Sequence, residues 1–163
     1  YSVTGVQTCA LPISYVHEGV YQSGLYTEVE MDEYLGRICS SLRWSRAADA
    51  PGIDIRVDAR DIRLPLSQAI PCGLIVNELA VNALKHAFPN DRTGVVSVCL
   101  SWDAPGYFLV VEDDGVGEGS PGSGVPGIGR TLVDSLVAQL RGTVHASSGT
   151  GGSGLRVEIR FGP

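Results

Sequence analysis

A chain of 163 residues that is 44% hydrophobic and only 18% charged is long and apolar enough to close one core, and it is not a disordered tail. Its formal net charge of −6, with no basic run anywhere, excludes nucleic acid as the main partner. No apolar run approaches the ~20 residues that cross a bilayer, and no basic segment leads into an apolar one as in a signal peptide.

The cysteines, Cys9, Cys39, Cys72 and Cys99, form no Cys-x-x-Cys pair and no metal-ligand spacing. Cys72 and Cys99 lie in apolar segments and read as small core residues of a reduced, cytosolic protein.

Residues 1–14 show neither helical nor alternating periodicity. Their Gly5-Val-Gln-Thr-Cys-Ala-Leu-Pro-Ile13 string resembles a translated sequencing adapter, so this leader is set aside as artefactual; the alternative is a natural flexible terminus. From Tyr15 the pattern turns helical. Val16, Val20 and Leu25 suggest the end of one helix, with Gly24 near its C-terminus. A second helix is expected from Met31 to Arg46, with an apolar stripe of Leu35, Ile38, Leu42 and Trp44. Asp32 and Glu33 fall in its first turn and Arg43 and Arg46 in its last, as the helix dipole favours. His17, standing alone, reads as structural.

Ala50-Pro-Gly52 breaks the chain between residues 15–50, whose two short helices cannot enclose a core alone and need a partner surface, and residues 51–163. Ile53-Asp-Ile-Arg-Val57 alternates as a strand with Ile53, Ile55 and Val57 inward, and Asp61–Leu64 makes a shorter one.

Pro65 and Ser67 open the segment around which the rest is organised, a helix running to Phe88 before Pro89-Asn90. It is rich in Ala and Leu, its one internal proline, Pro71, falls in the first turns, and most turns are apolar all round. Yet Glu78, Asn82, Lys85 and His86 recur at i, i+4, i+7 and i+8, which sets a carboxylate, an amide, an ammonium and an imidazole on one face. Burying even one uncharged polar group without a partner costs roughly 2–7 kcal/mol, so something polar must meet that stripe.

Gly94–Trp102 and Tyr107–Val111 make an antiparallel hairpin around Asp103-Ala-Pro-Gly106. The second strand runs into Glu112-Asp113-Asp114-Gly115-Val116-Gly117, carboxylates followed by glycines that let a backbone approach a ligand. A glycine- and proline-rich loop, 118–126, delivers Gly127-Ile-Gly129 into a helix over Arg130–Arg141 that buries Leu132, Val133, Leu136, Val137 and Leu140. Glycines at a helix N-terminus can present several backbone N–H groups to phosphate. Strands at Gly142–Ala146 and Leu155–Phe161 close the chain, with His145 as surface or filler.

In this order the motifs resemble a known family. Asn77-Glu78-Leu-Ala-Val-Asn82-Ala-Leu-Lys85-His86 is similar to the N box of sensor histidine kinase ATP-binding domains, in the superfamily that also holds gyrase and MutL. Asp113-Asp-Gly115-Val-Gly117 resembles its first glycine box and Gly127-Ile-Gly129 its second, and the resemblance covers about Ile53 to Phe161. Val16–Ser23 and Glu33-Tyr-Leu35 are similar to the tail of the dimerisation region in one bacterial kinase subfamily. The family's closing Gly-Thr has no clean counterpart: Gly149-Thr150 lies too early and Gly154-Leu155 takes the aligned place. Arg130 stands at a usually apolar position.

The resemblance implies an α+β fold of the Bergerat type, a mixed, mainly antiparallel sheet against about three helices. It implies ATP and Mg²⁺ as cofactors. Asn82 would ligate the metal and Glu78 would act through water. Lys85, His86, Gly127 and Gly129 would meet the phosphates. Asp113 would accept from the adenine amino group, with Gly115 and Gly117 giving room. The activity implied is transfer of the γ-phosphate to a histidine on the protein's own dimerisation helices, for relay to a response regulator. The full protein would be a homodimer with this part in the cytoplasm, whether or not the parent is membrane-bound. His17 matches a structural His-Glu pair and not the acceptor, which is expected outside this sequence, leaving the fragment inactive alone. An anti-sigma-type serine kinase and a non-catalytic nucleotide-binding module are the alternatives.

Overall fold

The computed structural model describes residues 28–46, 52–117 and 128–163. The leader 1–14, the helix expected near 15–25 with His17, the loop 118–126 and Gly127 lie outside the described residues.

Ten elements follow in order: β1 (Glu28–Glu30), α1 (Met31–Arg46), β2 (Ile53–Asp58), β3 (Arg63–Pro65), α2 (Leu66–His86), β4 (Gly94–Asp103), β5 (Gly106–Asp113), α3 (Ile128–Gln139), β6 (Thr143–Ser148) and β7 (Leu155–Phe161). Five strands form one sheet in the order β2-β4-β5-β7-β6. Only β2 and β4 pair in parallel, with Ile53 opposite Gly94; the other pairs are antiparallel. The expected α+β sandwich of three helices on a mixed sheet is the fold observed.

Strand alternation decides which side of the sheet meets the helices. Val96, Val98 and Leu100 of β4, Leu109 and Val111 of β5, and Val157, Ile159 and Phe161 of β7 are all buried. They share one hydrophobic cluster with Leu35, Ile38 and Leu42 of α1, Ile75, Val76 and Ala80 of α2, and Val133, Leu136, Val137 and Leu140 of α3. Each large side chain so buried contributes roughly 1.5–3 kcal/mol. α2 is the hub, packed against both other helices and against the sheet, as its all-round apolar sequence requires. Its second turn accommodates Pro71, and at Gly73 a side chain would lie 2.3 Å from the Tyr34 hydroxyl of α1. That close approach is why α1 can settle on α2. Lys85 and His86 occupy the last turn, where the helix dipole favours positive charge.

The structure corrects several expectations. Trp44 is 85% exposed: two residues past Leu42 is about 200° around a helix, so it faces away from the stripe. Cys99 is exposed because Val98 and Leu100 take the helix side, while Cys39 and Cys72 are buried. The short strand near residues 61–64 is Arg63–Pro65, and it pairs with β1 in a ladder of its own. α3 starts at Ile128, two residues early, and β5 runs through Glu112 and Asp113, so both carboxylates are strand residues.

Across the break at residues 50–52, α1 and β2 pack together, the partner surface that the helix over residues 31–46 needs. Leu42 of α1 and Ile55 of β2 share the core, Arg43 donates to the Ile55 carbonyl at 3.1 Å, and the Met31 N–H donates to the Ile62 carbonyl at 3.0 Å.

Candidate functional site

The C-terminal half of α2 carries the polar face. Glu78, Asn82 and His86 are half-buried and Lys85 is exposed. The Asn82 side-chain N–H₂ points to Glu78 Oε1 at 3.5 Å, the long limit of a hydrogen bond. That orientation leaves Asn82 Oδ1, the atom a hard cation would take, without a partner among the described residues. Lys85 and His86 likewise have none there. Burying these groups unpaired would be costly, and their partial exposure avoids that cost. Among the described residues no three His, Cys, Asp or Glu side chains converge as a metal cage. Asn82 Oδ1 beside the Glu78 carboxylate is instead an oxygen donor set suited to a small hard cation that keeps water and phosphate oxygens as its other ligands.

The end of β5 brings Asp113 to the same region. Its side chain is 5% exposed, and one carboxylate oxygen accepts the Gly115 N–H at 2.9 Å. Burial raises its pKa above the usual aspartate range, against the backbone N–H groups of Gly115 and Leu155, which favour the charged form. A carboxylate withdrawn from water and fixed by backbone donors is a directional acceptor.

Three contacts tie this turn to α2 and to the segment that follows it. The Val116 N–H donates to the Ala87 carbonyl at 3.0 Å, Asp114 Oδ1 accepts the Val95 N–H at 2.7 Å, and Arg92 donates to the Asp114 carbonyl at 2.8 Å. A side chain at Gly115 would lie 2.3 Å from the Ala87 carbonyl oxygen, so this glycine is required by the close approach to α2 itself. Gly117 has φ +77° and faces Gly154, whose φ is +78°.

The structure therefore joins Glu78, Asn82, Lys85 and His86 on one helix face, and it sets Asp113, Gly115 and Gly117 on a turn fastened to that helix's end. Gly129 lies in the first turn of α3, which packs against α2. Gly127 and the side chain of Arg130 are outside the described residues.

Three residues named in the sequence have surroundings that it did not reveal. Gly154 lies over the Asp113 backbone, where a side chain would come within 1.8 Å of the Asp113 carbonyl oxygen. Asn77 is 2% exposed with no partner for its Oδ1 among the described residues. Glu112 binds both the loop after β6 and Arg156. The alternating charges Arg156, Glu158 and Arg160 on β7 were the available signal for a polar outer sheet face.

Residues 53–158 match the family model of the histidine kinase-like ATPase domain. A blue-light-activated histidine kinase of Erythrobacter litoralis is 33% identical over 141 residues, which is 80% of this chain and 38% of that protein. The chain thus spans well under half the length of that curated relative. The solved histidine kinase domain of a blue-light activated histidine kinase from the same organism superposes with a TM-score of 0.81 at 25% identity, over 98% of this chain and 79% of that one. The histidine kinase AdeS of Acinetobacter baumannii shares the fold at a TM-score of 0.60 and 15% identity, over 96% of this chain and 76% of that one.

Proposed function

The chain belongs to the histidine kinase-like ATPase domain family, and from that premise we propose that it is the ATP-binding catalytic part of a sensor histidine kinase. One observation carries the reading: a buried, backbone-held carboxylate at Asp113 is fastened to a helix whose uncommitted Asn82, Lys85 and His86 share a face. That pairs a fixed acceptor for a base with a solvated set of groups for phosphates.

In this reading the free lone pairs of Asp113 accept from the adenine amino group. Lys85 supplies a positive charge and His86 a ring N–H to the phosphate oxygens. Gly127 and Gly129 let the chain approach them. Asn82 Oδ1 would hold Mg²⁺, which would supply positive charge to the phosphates. Glu78, 3.5 Å from the Asn82 amide, orients it and stands ready to accept a proton through water. α1 shares the core of the catalytic unit, and the dimerisation helices with their acceptor histidine precede that unit in the parent protein. Those helices, a second copy of the parent and a response regulator are its partners. No described helix is long and apolar enough to cross a membrane.

The test is transfer in trans. Incubated with radiolabelled ATP, Mg²⁺ and a dimerisation domain carrying the acceptor, the chain should place an acid-labile, base-stable phosphate on that domain. An acid-stable phosphoserine on an anti-sigma partner would instead assign a serine kinase. ATP binding with no transfer to either would leave a binding module.

A further inference from the structure

The carboxylate read as the base acceptor is flanked by one that points the opposite way. Alternation along β5 sends Asp113 toward the helices and Glu112 to the outer face of the sheet, where Glu112 stands opposite Arg156 of β7. Both oxygens of Glu112 are engaged: Oε1 accepts the backbone N–H of Thr150 at 2.6 Å and Oε2 accepts from Arg156 Nη1 at 2.5 Å. Arg156 is held in turn by Glu158 Oε1 at 2.8 Å. The three side chains are 19%, 28% and 23% exposed, more sheltered than an ordinary surface ion pair.

The loop they grip covers the back of Asp113. The Gly149 N–H donates to the Gly154 carbonyl at 3.2 Å and the Gly152 N–H to the Gly149 carbonyl at 2.8 Å, which closes the loop on itself. Gly149 and Gly154 both lie against the Asp113 carbonyl. Leu155, between Gly154 and Arg156, has its N–H on the side of the Asp113 carboxylate, where it favours the charged form. The displaced Gly149-Thr150 therefore has a use: its amide is spent on Glu112, on the far side of the sheet from the helices.

We propose that Glu112 and Arg156 are positioning residues which, by clamping the 149–154 loop, fix Leu155 and Gly154 on Asp113 and so set base selectivity from the opposite face of the sheet. The inference rests on the nucleotide reading above. The clamp touches no ligand; it limits how far the Leu155 N–H can drift from Asp113, and an acceptor held in one direction discriminates an amino from a carbonyl group on a purine.

The experiment uses the full chain with ADP and GDP and no added metal, followed by calorimetry, with amide hydrogen exchange on the same samples. Glu112→Ala and Arg156→Ala should weaken ADP by about five- to tenfold. The preference for ADP over GDP should fall by the same factor, and the Thr150 and Leu155 amides should exchange faster. Arg156→Lys and Glu112→Gln, which keep part of the contact, should recover part of the preference. A variant whose Thr150 amide has opened while its ADP preference stays within twofold of the parent overturns the clamp. Unchanged protection at Thr150 overturns it too, since the loop would then be held by something else. A parent chain that binds neither nucleotide removes the nucleotide reading along with the clamp, one that binds both alike overturns the clamp alone, and selective binding by the parent leaves only the clamp at stake.

Discussion

At the end of β5, Asp113 is 5% exposed and its carboxylate accepts the Gly115 N–H, with the Leu155 N–H also favouring its charged form. On α2, Lys85 stands in solvent, and Asn82 reaches Glu78 only at 3.5 Å. The contrast follows from what each end would bind. A flat, nearly neutral base brings no charge, so its acceptor has to be dry and fixed in advance. A triphosphate with its cation brings several charges, so the groups that meet it can stay hydrated and loosely held until it arrives. Pre-burying an unpaired ammonium and imidazole would be costly, while pre-burying one carboxylate on backbone donors is affordable.

The largest expected effect sits at the loosely held end. Asn82→Ala should lower phosphoryl transfer in trans by about two to three orders of magnitude. ADP affinity measured without metal should change little, because the base contact is elsewhere. Glu78→Gln should behave alike if its work is in the reacting geometry. Loss of metal-free ADP binding in either variant would show that the two ends are one rigid unit and break the comparison.

Next in size is the fixed end. Asp113→Asn should weaken ADP by about 1–3 kcal/mol through loss of a charged acceptor. The same substitution should raise thermal stability near neutral pH. The sign follows from burial: the folded pKa of Asp113 lies above its ordinary value, so its stabilising contribution is present below that value and is lost as pH rises through the folded pKa. Its neighbour behaves oppositely. Burial alone would raise the Glu112 pKa, but the Thr150 N–H and the Arg156 guanidinium overcome it and hold the carboxyl below the usual glutamate range. Glu112 therefore stabilises above its unfolded pKa and ceases to do so as pH falls through the folded one. Melting curves between about pH 3 and 8 should show Asp113→Asn gaining on the parent as pH rises and Glu112→Gln falling behind it. Parallel curves for both would mean the two faces of β5 do not differ.

The two ends were also unequally legible in the sequence. The α2 face could be read because four polar residues at helical spacing interrupt an apolar segment, and such a face requires only local geometry. The α+β architecture followed from alternation and turn residues, again local. Trp44 is hydrophobic but stands at the wrong angle for the stripe, and the alternation of Val98 and Leu100 sends Cys99 outward. β1 escaped notice since three residues carry almost no periodicity. The clamp was out of reach for a different reason. Glu112 meets Thr150 and Arg156 across 38 and 44 residues, and only the β5–β7 register brings them together. Gly115 was read as room for a ligand, whereas its own contact with Ala87 already forbids a side chain.

The smallest expected effect sharpens the contrast most directly, through its salt dependence. Lys85 is exposed and unpaired among the described residues, so its pull on phosphate passes through water and is screened over roughly 10 Å at 0.1 M salt. Lys85→Gln should weaken ATP by only about two- to fivefold in dilute buffer, a loss of a kcal/mol or less. Raising the salt should erase most of that difference, because the parent then loses what the variant already lacks. The penalty of Asp113→Asn should hardly move with salt, since a buried directional hydrogen bond is shielded from ions. Titrating ATP into both variants across a salt series tests this. A salt-insensitive penalty at Lys85 would mean that its ammonium is desolvated when nucleotide binds, and the α2 face would then be as enclosed as the β5 end.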